Sequence, residues 1–206
     1  MAQNVLITAF QPFPGVTENP TETLLRSLPT CRDHDLVRAR HLLVPTSYAD
    51  APRELRGALE SRTSALVMTG YSGQATGLVL ERCATSARLP GRPDATGFCP
   101  PAAIEKPETM ETAVDIGAIV ARLTDAGLSA CESRDAGSYV CNHLYFTALR
   151  ALAETSPSVP ALFVHFPALQ GTDLAQTSAA AMALKDMQQA LGIIVRSLIG
   201  DIAGHS

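Results

Sequence analysis

Short apolar segments alternate along this chain with segments of helical periodicity, and this alternation restricts the folds that the chain can adopt. The predicted strands are residues 4–10, part of 37–44, 65–69, 78–84, 128–133 and 161–167. The predicted helices are residues 20–27, about 50–62, 112–126 (capped by Asp115 and ended by Gly127), 140–152 and 173–199. Strands that alternate with helices in this way, without internal repeats, indicate an α/β fold.

The composition of the chain is that of a globular protein with one substantial core. Of its 206 residues, 46% are hydrophobic and 17% are charged, and we expect a single domain over residues 1–206. A net charge of −4, with no basic run and no tryptophan, argues against nucleic acid as a partner. No apolar run approaches the roughly 18 residues of a membrane span, and the N-terminus does not resemble a secretion signal. We therefore expect a soluble, cytoplasmic protein without a membrane partner.

The cysteines suggest neither a disulfide framework nor a zinc site. Their number is odd and no C-x-x-C pair occurs among the five, which are Cys31, Cys83, Cys99, Cys131 and Cys141. Reduced thiols in a cytoplasm fit this pattern best, and they allow one cysteine to be catalytic. We expect no metal ion and no cofactor.

One cysteine follows a glycine-containing turn and lies at the predicted start of a helix. The turn at 135–139 leads into the apolar segment 140–152, so Cys141 should lie in the first helical turn. Unpaired N–H groups and the helix dipole stabilise a thiolate at such a position, and the thiolate is the nucleophilic form of cysteine. A free cysteine on an apolar helix is about as often a small buried hydrophobic residue. This segment alone leaves both interpretations open.

A catalytic thiol needs a base, and two histidines are candidates. His143 is unsuitable because residues two apart on a helix point about 200° apart. His165 lies near the end of the predicted strand 161–167, and a lone histidine there is usually a core residue. Strand carboxyl ends of open α/β sheets converge on the ligand crevice, however, where the turns at 11–15 and 70–77 should also lie. The expected proximity of these turns makes His165 the candidate base.

The turn after the first strand carries two aromatic residues. Phe10 and Phe13 flank it, and burial in the core is the usual interpretation for a phenylalanine. Phe13 is harder to bury because it stands between two prolines. Asn19 is predicted to cap the following helix, with Pro20 at its first position.

The middle of the chain contains two segments of irregular pattern and one unusual carboxylate. The glycine-rich segment 70–77 lacks the features of a P-loop or dinucleotide fingerprint, which excludes phosphate binding there. Residues 90–107 are predicted to form a long surface loop or a short irregular hairpin. Between them, Glu81 lies among apolar neighbours, either paired with Arg82 or Arg88 or serving a site. Composition favours the structural pairing.

Taken together, four ordered blocks resemble the pyroglutamyl peptidase type I family, also called pyrrolidone-carboxylate peptidase. The blocks are Phe10-x-Pro12-Phe13-x-Gly15-x-x-x-Asn19-Pro20, Gly70-x-x-Gly73 with Glu81-Arg82-x-Ala84, Ala136-Gly137-x-x-Val140-Cys141-Asn142-His143, and Val164-His165-x-Pro167. They extend over nearly the whole chain. The resemblance implies a cytosolic cysteine peptidase that removes an N-terminal pyroglutamyl (5-oxoproline) residue from peptides. It also implies an α/β/α sandwich around a mixed twisted sheet and assembly into a homo-oligomer, as a dimer or tetramer.

The same resemblance assigns roles to individual residues. It implies Cys141 as nucleophile, His165 as general base and acid, and Glu81 as the group that orients His165, with a thioester acyl-enzyme between two half-reactions. Phe10 and Phe13 are implied to sandwich the flat lactam ring. The substrate-binding set that the resemblance implies is Phe10, Phe13, Asn19, Gly70, Tyr71 and Val140.

The chain departs from the family pattern at several positions near these blocks. Ala9 and Pro14 replace glycines, Gln74-Ala75 replaces a Gly-Arg pair, and Ser86 replaces an asparagine. These departures keep open a catalytically silent protein that binds lactam or peptide ligands. A second alternative, a nucleoside phosphorylase-like enzyme, would need phosphate and nucleoside sites that the sequence does not contain.

Overall fold

The computed structural model describes residues 4–13, 15–60, 62–101 and 105–203, with side chains up to residue 200. Its strands are β1 Asn4–Phe10, β2 Arg40–Val44, β3 Thr63–Tyr71, β4 Leu78–Glu81, β5 Cys83–Thr85, β6 Thr109–Glu111, β7 Ala130–Ser133, β8 Ala161–Phe166, β9 Ala168–Leu169 and β10 Ala181–Met182. Its α-helices are α1 Pro20–Ser27, α2 His34–Arg38, α3 Asp50–Ala58, α4 Ile116–Asp125, α5 Val140–Thr155, α6 Leu174–Thr177 and α7 Leu184–Ala203.

The central sheet is mixed, and the change of strand direction occurs at β4. Within the described residues its strand order is β2-β1-β3-β8-β4-β7. Strands β2, β1, β3 and β8 are parallel to one another, whereas β4 pairs antiparallel with β8 and β7 follows the direction of β4. In the β4–β8 ladder Val79 lies opposite His165, and Glu81 lies opposite Phe163.

Helices cover both faces of this sheet, which gives the α/β/α sandwich that the resemblance implied. Alternate side chains of each strand point to opposite faces. In β8, Leu162 and Val164 join the core under α1, α4 and α7, whereas Phe163 lies in the core under α3 and α5. His165 therefore shares the face of the sheet that is covered by α5.

Several predicted strand limits differ from the observed ones: β7 begins at Ala130 rather than 128 and β8 ends at Phe166 rather than 167, and in two further cases partner strands decide where a strand ends. The third strand was expected to stop before Gly70, but it continues to Tyr71 because these two residues pair with His165 and Phe166 of β8. The run 78–84 was expected to be one strand, but it divides at Arg82. Its second part, β5, leaves the central sheet and pairs antiparallel with β6.

The predicted helix positions are confirmed for α1 and α5 and need correction elsewhere. Helix α3 ends at Ala58 rather than near residue 62 because Leu59 is extended. Helix α4 begins at Ile116 rather than 112, with the predicted cap Asp115 accepting from the N–H of Ala118. Helix α5 extends to Thr155. The short helix α2 was not predicted.

The long helix predicted over residues 173–199 is wrong in its first third. That part forms α6 and β10, and only α7 is a long helix. Ser178 is extended at the end of α6, and the next N–H, that of Ala179, donates to the carbonyl of Gly73. A contact with a distant turn thus interrupts a sequence with helical spacing.

The loop predicted over residues 90–107 is closed at its base by the hairpin of β5 and β6. Inside it, the buried Asp94 carboxylate accepts hydrogen bonds from the N–H groups of Tyr48, Thr96 and Phe98. Residues 102–104 of this predicted loop lie outside the described residues. In the part of the chain that the structure describes, no helix has the length and apolarity needed to cross a membrane.

Candidate active site

Cys141 lies in the first turn of α5, as predicted. Gly137, with φ of +77°, forms the turn before the helix, and Asp135 Oδ1 accepts from its N–H at 2.9 Å. The first i→i−4 bond of the helix runs from the N–H of His143 to the carbonyl of Tyr139 at 3.1 Å. The N–H groups of Val140 and Cys141 precede that bond, so they point out of the helix end toward an incoming anion.

His165 lies at the end of β8 and is joined to a buried carboxylate. Its Nδ1 is 2.8 Å from Oε1 of Glu81, and His165 is 8% exposed while Glu81 is 1% exposed. With Nδ1 bonded to Glu81, Nε2 is the ring nitrogen left to face Cys141. Burial lowers the pKa of His165, but the side chains of Cys141 and Glu81 favour the imidazolium more strongly and raise the pKa to about 9.

The structural pairing that composition favoured for Glu81 is wrong. Arg82 instead bonds Glu132 at 2.8 and 3.0 Å, and the Arg88 guanidinium lies 5.8 Å from the ring centroid of Tyr48. Arg82 stands at the break between β4 and β5 and bonds Glu132 and the carbonyl of Val114, whereas Glu81 is the last residue of β4. The antiparallel pairing of β4 with β8 then brings its carboxylate to His165.

Phe163 and Tyr145, which sequence reasoning missed, contact His165 and Glu81. The ring centroid of Phe163 lies 4.9 Å from that of His165, and the hydroxyl of Tyr145 donates to the carbonyl of Glu81 at 3.0 Å. Burial raises the pKa of Tyr145, which keeps its hydroxyl protonated. Phe163 could have been found from strand periodicity, because it stands two residues before His165 and shares its face.

Gly70 lies directly beneath the thiol. A methyl group added to it would lie 2.8 Å from Cζ of Phe163 and 3.1 Å from Sγ of Cys141. Both distances are shorter than ordinary van der Waals contact, so a side chain at this point of β3 would require Phe163 and Cys141 to shift.

A cleft of about 730 Å³ opens over these groups, and it brings together most of the predicted site residues. Its lining includes Glu81, Cys141, His165, Phe10, Phe13, Asn19 and Tyr71. Val140 instead lies fully buried in the core under α5. Gly70 is not among the lining residues, and the substrate-binding role of all six predicted residues stays a prediction.

The turn that follows β1, called the aromatic turn because Phe10 and Phe13 flank it, lies at one end of the cleft. Phe10 is 2% exposed and its ring centroid lies 6.5 Å from that of Phe163, so it is a core residue that also lines the cleft. Phe13 meets the ring of Tyr139 edge-on at 6.2 Å. Asn19 caps α1 as predicted, accepting from the N–H of Thr21 at 3.0 Å, and its amide reaches the carbonyl of Gln11 at 3.4 Å. This side chain therefore ties the turn to the helix.

The ring of His143 lies outside the lining of the cleft that contains Cys141, in agreement with its spacing on the helix. Its ring centroid lies 5.4 Å from that of Tyr48, on the α3 side of α5. Burial, together with the positive charge of Arg88, lowers the pKa of His143 to about 4. The described residues contain no group of three or more His, Cys, Asp or Glu side chains that could hold a metal ion.

The departures from the family pattern fall at different distances from the thiol. Ala9 is fully buried in the core under α1, and Ser86 continues the β5–β6 hairpin through bonds with Glu108. Gln74 and Ala75 lie in the turn that lines the cleft. Pro14 lies outside the described residues.

Known proteins share this architecture over nearly its full length. A family model described as pyroglutamyl peptidase matches residues 3–200. The pyrrolidone-carboxylate peptidase of Streptococcus pyogenes is 29% identical over 95% of this chain and 92% of the relative, and that of Brevibacillus brevis is 29% identical over 96% and 93%. The crystal structure of Bacillus amyloliquefaciens pyroglutamyl peptidase I, 27% identical, superposes with a TM-score of 0.84 over 96% of this chain and 97% of that one. The chain therefore belongs to the pyroglutamyl peptidase family.

Proposed function

We propose that this protein is a cysteine peptidase that hydrolyses the N-terminal pyroglutamyl residue from peptides through Cys141, His165 and Glu81. Membership in the pyroglutamyl peptidase family supports the reaction and the substrate class. The observation that carries the assignment of residues is the hydrogen bond between His165 and Glu81 in the cleft that Cys141 also lines, with Cys141 close enough to raise the pKa of His165.

In the first half-reaction, the Cys141 thiol gives its proton to Nε2 of His165 and the thiolate attacks the pyroglutamyl carbonyl carbon. The oxyanion forms where the N–H groups of the first turn of α5 can donate to it. The C–N bond then breaks, the imidazolium protonates the leaving amine, and a thioester remains on Cys141. Glu81 takes no proton; it holds the imidazole by Nδ1 and stabilises its charged form.

In the second half-reaction, His165 removes a proton from water as the water attacks the thioester carbonyl. Collapse of this intermediate breaks the C–S bond and releases pyroglutamic acid, and the proton returns to the Cys141 sulfur. The same imidazole thus serves as base and acid in turn.

Substrate selection rests on shape, because the lactam ring is neutral and offers no charge to bind. Phe10 and Phe13 stand at the end of β1 beside the thiol and would cover the two faces of a flat ring. Asn19 holds the turn that carries Phe13. An N-terminal prolyl group would bury a protonated ring nitrogen against these aromatic faces without a partner.

Turnover of a pyroglutamyl amide with a fluorogenic leaving group tests the proposal. The parent should hydrolyse it and leave the prolyl amide almost untouched. Cys141→Ala and His165→Ala should lose nearly all activity, whereas Glu81→Gln should retain more, because it keeps an acceptor for Nδ1. Binding of the amide without hydrolysis would favour the silent binding protein, and full activity in His165→Ala would remove it as the base.

A further inference from the structure

The cleft is much longer than a five-membered lactam requires. It follows the sheet from Phe13, after β1, past His165 on β8 to Ser133 and Asp135 at the end of β7. Four strand spacings separate β1 from β7, which corresponds to about 19 Å of sheet width. The thiol and imidazole lie between the two ends.

The position of the aromatic turn fixes which end of the cleft takes which part of a substrate. If the lactam ring lies between Phe10 and Phe13, the acyl group occupies the β1 side of Cys141. The leaving amine departs from the opposite side of the attacked carbonyl, toward β4 and β7. The residue that follows the pyroglutamyl group must therefore lie along the part of the cleft that ends at Asp135.

The charges that line the cleft are separated between these two ends. The Arg92 guanidinium lies 4.4 Å from the ring centroid of Tyr139, and that ring meets Phe13, so this cation belongs to the acyl side. Asp135 lies at the opposite end. Glu81 also lines the cleft, but it is buried and bonded to His165.

Asp135 is held in place and its charge is not neutralised locally. Its Oδ1 accepts from the N–H of Gly137 at 2.9 Å, and its own N–H donates to Oγ of Ser133 at 3.0 Å. The nearby Glu132 and Arg134 pair with Arg82 and Glu111, whereas no described residue forms an ion pair with Asp135. The leaving-group end thus presents one fixed, exposed carboxylate.

We propose that Asp135 selects peptides with a cationic side chain, lysine or arginine, in the residue that follows the pyroglutamyl group. This inference rests on the proposed function. The carboxylate attracts a charge that the substrate brings, and it does so in the ground state as well as in the transition state. Its effect should therefore fall mainly on KM rather than on kcat.

The first measurement compares peptides that differ only at that residue. We expect the parent to show a kcat/KM for a pyroglutamyl-lysyl peptide about 2- to 5-fold above that for the glutaminyl peptide at low salt, the size typical of an exposed ion pair. The glutamyl peptide should be the poorest of the three. The lysine preference should decline toward unity at 1 M salt, where the Debye length is about 3 Å.

The second measurement removes the charge. Asp135→Asn keeps an acceptor for the N–H of Gly137, and its lysine-to-glutamine ratio should fall to about 1. Asp135→Glu should keep a ratio above 1. Asp125→Asn is the matched control, because Asp125 is an exposed acid at the end of α4 outside the cleft, and it should retain the parent ratio.

The outcomes separate this inference from the function on which it rests. A parent that does not hydrolyse the fluorogenic pyroglutamyl amide overturns the proposed function. A parent that hydrolyses it but shows a ratio of 1, with no salt dependence, overturns only the role of Asp135. A preference for the glutamyl peptide would likewise overturn it and assign Arg92 to the leaving-group end. These parent measurements decide the question even where a variant fails to fold.

Discussion

At the scale of single residues, the candidate active site brings together side chains from three separate elements. The thiol belongs to α5, the imidazole to β8 and the carboxylate to β4. Glu81 and His165 are 84 positions apart in the chain, yet their side chains bond at 2.8 Å. The pKa of His165 therefore depends on its neighbours Cys141 and Glu81.

This dependence predicts that the pKa of His165 falls when Cys141 is replaced. In the parent, NMR of the imidazole should show a titration near pH 9. Cys141→Ala removes one of the two groups that raise the pKa, so the midpoint should move to lower pH, and Glu81→Gln should move it in the same direction. His34, which is exposed on α2, is the internal reference. An unchanged midpoint in both variants would contradict the coupling.

The crowding beneath the thiol predicts that Gly70→Ala is damaging. The added methyl group would contact Phe163 and the Cys141 sulfur, so we expect a loss of about 1–3 kcal/mol in the free energy of unfolding, together with lower activity. Urea titration and amide turnover measure the two effects. Gly57→Ala in α3 is the matched control: no atom lies within 4 Å of the new methyl, and it should be neutral or slightly stabilising. Equal stability of the two variants would refute the contact.

Local sequence predicted the position of Cys141 at the start of α5 but not the side chains that surround it. The turn at Gly137 and the start of α5 depend on residues close in the chain, so the placement of Cys141 could be predicted from propensity. The partner of Glu81 could not, because the composition of one strand does not reveal which strand lies beside it. Only the resemblance connected Glu81 to His165, and Phe163 was missed altogether.

At the scale of elements, helix α5 serves both the site and the core. Its first turn carries Cys141 at the cleft, whereas Leu144, Ala148 and Leu152 are buried against the sheet and α3. His143 lies on this helix among apolar and aromatic neighbours, 7% exposed. Burial in this position favours the neutral form of His143, so protonation of its ring destabilises the folded protein.

The burial of His143 predicts a decline in stability at acid pH. The folded pKa is about 4 and the unfolded value about 6.5, so the unfolded chain binds more protons between these values and stability rises with pH across this range. One such group contributes at most about 1.4 kcal/mol per pH unit. Urea unfolding at pH 4.5 and 6.5 should give a smaller difference for His143→Gln than for the parent. His34→Gln is the control and should retain the parent difference; a parent-like difference in His143→Gln would refute the prediction.

Helix caps could be predicted better than strand limits or the start of the last long helix. Asn19 and Asp115 cap their helices as their local sequence indicates, because the capping bond joins residues two or three apart. The extension of β3 to Tyr71 depends instead on pairing with β8. The break at Ser178 depends on two distant contacts: the N–H of Ala179 donates to the carbonyl of Gly73, and the hydroxyls of Ser178 and Tyr71 lie 2.7 Å apart across 107 positions of sequence.

At the scale of the whole molecule, both cores are built on the same sheet. One contains residues from α1, α2, α4 and α7, and the other contains residues from α3 and α5, with the strands contributing alternate side chains to each. Neither core can lose its sheet without exposing the other. A cytoplasmic location and assembly into a dimer or tetramer stay predictions from the resemblance.

We therefore propose that the chain is one domain and unfolds in a single transition. Circular dichroism and fluorescence of the four tyrosines should give coincident urea midpoints. Leu55→Ala and Leu198→Ala remove fully buried side chains from the two different cores, and each should lower the midpoint of both signals together. Two separated transitions, or a variant that shifts only one signal, would indicate independently folding parts.

The position of β8 in the sheet has a consequence for folding while the chain is being synthesised. Strands β3 and β4 are joined by the short turn at 72–77, yet they do not pair, because β8, which is synthesised about 80 residues later, lies between them. A nascent chain that has emerged only as far as α5 already carries Glu81 and Cys141, but it has an open gap at the centre of its sheet. The segment that closes the gap also carries His165, so the same six residues complete the central sheet and supply the proposed base.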